Sequence, residues 1–143
     1  MAEQATESIL LKLLEMHISR RDAVSVQGFI DLIKDQGITT DIYPIEFPAG
    51  APKDAMLIEL SDAFTSRGSV YDGTLSITVR AKHPERAEQL AMDVSKKLHN
   101  LTDKTVGDLQ IIMLKSLNPL PAFVGRVKGN EYYYMVNFQV LLS

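Results

Sequence analysis
The chain has 143 residues, of which 45% are hydrophobic and 23% charged, with a formal net charge of −3 and no cysteine. That composition supports one globular domain over residues 1–143, with a core that needs neither disulfide nor metal. It excludes a disulfide framework, a thiolate zinc site and a cysteine nucleophile, and shows no general affinity for nucleic acid.

Residues 3–18 read as a helix, with Ile9, Leu10, Leu13, Leu14 and His17 on one stripe. The segment lacks the basic start and unbroken apolar run of a signal peptide. No stretch approaches the about 18 apolar residues that span a bilayer, so a soluble chain without a membrane partner is expected. A second helix is predicted over about 26–36, capped by Ser25, with Phe29, Ile30 and Ile33 inward and Gly37 closing it. Residues 40–47 are extended, but Pro44 cannot donate to a ladder, so they form an edge strand or none.

Residues 54–61 read as a strand with Met56, Ile58 and Leu60 on one face. DAFTSRGSVYDG, 62–73, has two glycines and little periodicity, and reads as a long mobile loop. TLSITVRAK, 74–82, alternates cleanly: Leu75, Ile77, Val79 and Ala81 in, Thr74, Ser76, Thr78, Arg80 and Lys82 out. A helix follows, with Pro84 in its first turn, Glu85 at the positive end of its dipole and Lys96 and Lys97 at the negative end. Ala87, Leu90, Ala91, Val94 and Leu98 form its buried stripe. DLQIIMLKSL, 108–117, is apolar on both faces and reads as a central strand, making a strand–helix–strand crossover.

AFVGRV and EYYYMVNFQVLL flank Lys128-Gly129-Asn130 and predict a C-terminal β-hairpin. The last strand has one clean apolar face: Tyr132, Tyr134, Val136, Phe138, Val140 and Leu142. Its other face, Tyr133, Met135, Asn137, Gln139 and Leu141, is too apolar for water and too polar for a core. The fold class is α+β: one mixed sheet with helices packed mainly on one face.

No catalytic constellation stands out. His17, His83 and His99 are too scattered for a metal site, and the glycines do not have phosphate-loop spacing. Catalytic, cofactor and metal residues are therefore expected to be none. Tyr132 and Tyr134 share a face with Val136 and Phe138, which favours core over base stacking.

Three stretches in order carry a resemblance: SITVRAKHPERAEQLAMDVSKKLHNLTD (76–103), LQIIMLKSLNPLPAFVGR (109–126) and GNEYYYMVNFQV (129–140). Together they resemble the tail terminator proteins of long-tailed bacteriophages, also labelled phage minor capsid proteins. The turn before the last strand, RVKGNE, departs from the family, which often carries an acid where this chain has lysine.

The resemblance implies a structural virion protein that is not an enzyme. It implies a ring, typically a hexamer, that caps the tail tube, stops its polymerisation and meets the neck proteins on the head side. DNA passes through the lumen without sequence-specific binding. The place implied is the tail–neck junction of the virion, after synthesis in the host bacterial cytoplasm. Arg67, Phe123, Val124, Arg126, Tyr133 and Met135 are the expected subunit or tube interface, tyrosine and methionine being enriched at such surfaces. Alternatively, the N-terminal helix covers the second face of the last strand within the same chain. Competing readings are another neck component, such as a stopper, and, from a different class, a small-molecule-binding α+β regulatory domain.

Overall fold
The computed structural model describes residues 26–143 apart from 62–64, 69, 119 and 128–130. The helix expected over 3–18, the Ser25 cap and the Lys128-Gly129-Asn130 turn lie outside the described residues. In chain order the elements are α1 (Val26–Asp35), β1 (Asp41–Pro44), β2 (Ala55–Leu60), β3 (Thr65–Arg67), β4 (Val70–Ala81), α2 (Pro84–Leu98), β5 (Thr105–Val106), β6 (Leu109–Ser116), β7 (Ala122–Val127) and β8 (Glu131–Leu142). The class is α+β, as expected.

The eight strands of the described residues join one mixed sheet built on β4 and β8. These two pair antiparallel from Tyr71 opposite Leu142 to Ala81 opposite Tyr132. Each is flanked on its outer side by two shorter strands placed end to end. Beside β4 lie β2 and then β3; beside β8 lie β6 and then β7. The sheet therefore has two halves, one ordered β1-β2-β4-β8-β7 and the other β3-β4-β8-β6-β5.

Both described helices bury their apolar stripes on one sheet face. Helix α1 contributes Phe29, Ile30, Leu32 and Ile33, and α2 contributes Ala87, Leu90, Ala91, Val94 and Leu98. They meet Met56, Ile58, Leu75, Ile77, Val79, Val136, Phe138, Val140 and Leu142 in a single core cluster. Period-two alternation puts these strand residues on one side. Gly37, at φ 85°, ends α1 in the left-handed conformation that glycine adopts without strain. Asn100, at φ 61°, follows α2 in the same way, and its N–H is taken by the Leu114 carbonyl at 2.8 Å.

Three expectations need correction. Within the stretch 62–73 expected as a long loop, the described residues apart from Gly68 are strand: β3 and the first residues of β4 form a hairpin, with Arg67 opposite Val70. Residues 71–73 are strand because β8 is long enough to pair with them, which local composition does not reveal. The strand at 109–116 is not central either: it lies one step from an edge, with only the two-residue β5 outside it. Finally, Thr78 and Arg80 point away from the core as predicted, yet both are buried, Arg80 being only 8% exposed. The loop from Ile45 to Asp54 covers that end of the second face.

Candidate assembly interface
Strands β6 and β7 run in the same direction along one edge of β8 and nearly make one strand. Between them Leu117, Asn118, Leu120 and Pro121 lie outside the strands. The gap is stitched locally: Leu117 N–H donates to the Asn137 carbonyl at 2.8 Å, and Asn137 N–H donates to Asn118 Oδ1 at 3.3 Å. Ser116 Oγ donates to the Asn118 carbonyl at 2.9 Å, holding that asparagine in place. A polar concavity bordered by Ser95, Lys96, His99 and Asn118 lies behind it. There His99 Nδ1 accepts from Ser116 N–H at 3.0 Å.

The excursion and the strand after it are apolar and open to solvent. Leu117, Leu120, Phe123 and Val124 are each at least half exposed, with Leu120 at 68% and Phe123 at 58%. Ile112 in β6 adds to the same edge. A register shift between Phe123 and Gly125 leaves Val124 as the extra residue of a bulge, so Phe123 and Val124 both present their side chains outward. Phe123 packs edge-on against the Tyr134 ring, with centroids 5.4 Å apart. Among the described residues no strand pairs with the outer side of β7. An apolar sheet edge of this kind is a ready template for a partner.

Of the expected interface residues, Phe123, Val124 and Arg126 lie on β7. Tyr133 and Met135 lie beside them, Gly125 being opposite Tyr133 and Ala122 opposite Met135. Arg67 is not with them: it sits in β3, at the opposite end of β8, roughly 30 Å along the strand direction. Leu117 and Leu120 stand in the same exposed patch and are not among the expected residues. Their signal was two leucines set among prolines where no element could bury them.

Tyr133 and Met135 are half-buried rather than open. Tyr133 packs on Phe47, with ring centroids 6.2 Å apart, and its hydroxyl donates to Glu131 Oε2 at 3.2 Å. Glu131 also faces Lys53 Nζ at 3.4 Å and Arg80 Nη1 at 4.0 Å. Arg80 in turn donates to the carbonyls of Pro52 at 2.6 Å and Lys53 at 3.3 Å. Burial, then the neighbouring Glu131 carboxylate and the hydrogen bond to it, raise the Tyr133 hydroxyl above its ordinary value of 10.0, while Arg80 pulls the other way. This cluster ties the 45–54 loop to the sheet and partly answers what covers the second face of β8.

Among the described residues no group of three His, Asp or Glu side chains is placed to hold a metal ion, and no helix is long and apolar enough to cross a membrane. Residues 29–143 match the family model described as bacteriophage tail terminator protein. No curated protein matches the chain in sequence. Among solved structures, a chain from the virion of a native gene transfer agent particle has a similar fold. The TM-score is 0.54 at 16% identity, over 77% of this chain and 83% of that one.

Proposed function
The chain belongs to the bacteriophage tail terminator family, a family of structural phage tail proteins, and from that premise we propose that it closes the tail tube as a ring. In this role copies of the chain, six in the expected arrangement, seat on the last layer of tube subunits and end polymerisation. The opposite side of the ring receives the neck or head-completion protein at the tail–neck junction. DNA passes through the lumen without sequence-specific contact. The whole chain acts as one unit, made in the host bacterial cytoplasm before it joins the virion.

The observation that carries this reading is the apolar run Leu117, Leu120, Phe123 and Val124 on a sheet edge with no described strand outside it. A chain that worked alone would lose solubility by this exposure and gain nothing, whereas a chain that assembles uses it. Light scattering with and without purified tail tubes, followed by electron microscopy of the tube ends, tests the proposal. A ring in solution, or a cap found only at tube ends, is expected. A monomer that leaves tube ends bare and tube growth unchanged would refute it.

A further inference from the structure
Ile45 follows β1 directly and has φ 68°. A β-branched residue in the left-handed region is an outlier, since its branched side chain crowds the following carbonyl. It is also the most exposed large apolar residue described, at 72%. The turn is held from behind: Ile45 N–H donates to the Ile58 carbonyl at 3.3 Å, and Glu46 N–H donates to the Pro44 carbonyl at 2.7 Å. Two residues on, Phe47 lies under the Arg80 guanidinium. The fold thus holds an isoleucine outward in a conformation that isoleucine disfavours, and no burial within the described chain offsets the cost. Strain of this sort points to a function outside the chain.

The remaining large exposed apolar side chains, Ile112, Leu117, Leu120, Phe123 and Val124, all lie on the opposite edge of the sheet. The two edges are level with one another. Ile42, Met56, Val79, Tyr134 and Phe123 are successive partners across β1, β2, β4, β8 and β7. The strands at the ends of that row, β1 and β7, run in opposite directions, so a second copy displaced along the row meets the first in antiparallel sense. Charge follows the same division. Asp41 and Glu46 are exposed on the β1 side, and Lys115 and Arg126 on the β7 side. None of the four forms an ion pair among the described residues.

We propose that copies of this chain join head to tail, with Ile45 of one copy seated on the Leu117, Leu120, Phe123 and Val124 patch of the next. The proposal rests on the ring reading and supplies what a ring needs: two different patches on opposite sides of one subunit. A two-fold dimer would instead require one self-complementary patch. Side-chain packing rather than a shared strand ladder holds the contact. Pro44 has no N–H and its carbonyl is already taken by Glu46, so β1 cannot extend a long ladder outward. Asp41 and Glu46 against Lys115 and Arg126 set the register of approach.

The chain has no cysteine, so single cysteines report contacts cleanly. Ile45→Cys and Leu120→Cys are made separately and together, and treated with a short thiol cross-linker under conditions where light scattering shows the wild type assembled, alone or on tubes. Neither single variant cross-links to itself, the mixture of the two gives a dimer, and the double variant gives a ladder that ends at the closed ring. Self-cross-linking of either single variant would overturn the head-to-tail contact. Absence of cross-links in a sample that is still a ring would overturn these edges and leave the ring reading standing. Failure of the wild type to assemble under any condition would refute both. A second variant, Ile45→Gly, keeps the fold, because glycine accepts the same φ, and loses the ring; a ring that survives it unchanged would also overturn the contact.

Discussion

The Arg80 guanidinium lies 3.9 Å from the centroid of the Phe47 ring, sandwiching an aromatic of the 45–54 loop against a strand at the centre of the sheet. The cation has almost no access to water and finds its partners in two carbonyls, a ring face and the Glu131 carboxylate. Arg80→Ala removes all of these and leaves Glu131 with only Lys53 and Tyr133. A loss of about 3 kcal/mol is expected, because a buried charge pair is broken from one side. Urea unfolding measures it, and a loss below about 0.5 kcal/mol would show that the clamp does not hold the loop.

Tyr133 makes stability fall in alkali. Its hydroxyl is held above the ordinary value of 10.0 in the folded chain, so the neutral form is favoured by folding. For a group raised on folding, the contribution is complete below the unfolded value and is lost as pH rises through the folded one. Tyr133→Phe is expected to flatten this alkaline slope, and to cost about 1 kcal/mol near neutrality, where the hydrogen bond to Glu131 is lost. Unfolding curves at about pH 8 and about pH 11 decide it, and equal slopes in both proteins would remove the assignment.

Asn118 bridges the break between β6 and β7. Asn118→Ala leaves the Asn137 N–H without its acceptor and is expected to cost about 1 kcal/mol. Hydrogen exchange at Asn137 is the direct readout. An amide that exchanges as slowly in the variant as in the parent would contradict the stitch.

Gly28 lies where α1 crosses β5. A Cβ there would stand 2.9 Å from Val106 Cγ1 and 3.3 Å from the Gly107 nitrogen. Alanine gains about 1 kcal/mol in helix propensity but forces a stiff valine and a main-chain atom to move, which costs about 1–3 kcal/mol. Gly28→Ala is therefore expected to lower stability by about 1 kcal/mol. A rise in melting temperature would show that the helix shifts freely on β5.

Ile45→Gly is expected to act in the opposite direction on the isolated chain. A left-handed conformation costs an L-residue roughly 1–2 kcal/mol, and the greater unfolded freedom of glycine takes back up to about 1 kcal/mol. The net expectation is a gain of about 0.5–1 kcal/mol in a chain kept monomeric by dilution. A clear loss of stability in the monomer would mean that Ile45 is held by contacts within its own chain.

Much of the fold was legible because alternation and helical stripes are local. Leu75, Ile77 and Val79 on β4, Val136 and Phe138 on β8, and Ala87, Leu90 and Val94 on α2 all face the core as their spacing predicts. What failed was non-local. Arg80 was correctly placed on the far face, but its burial depends on a loop some 30 residues earlier in the chain folding over it. Residues 71–73 look like a loop until β8 is present to pair with them. In β6 the apolar surplus suggested a central strand, whereas Ile112 is exposed: an apolar residue on a sheet edge resembles core in a single sequence. The strand carrying Phe123 and Val124 was legible from AFVGRV, while the left-handed turn at Ile45 was not, since nothing local reports a positive φ at an isoleucine.

The pairing of β4 with β8 has a kinetic consequence. It joins residues as distant in sequence as Tyr71 and Leu142, and every other long strand docks on that pair. No half of the sheet can form from neighbours alone, so refolding is expected on the slow, millisecond-to-second scale of high contact order. Ile45 follows β1 and Phe123 and Val124 lie on β7, and these two edges share one sheet only through the β4–β8 pair. On the proposed head-to-tail contact, folding therefore sets a clock on self-association: the two edges stand at their final spacing only after the most distant segments of the chain have met.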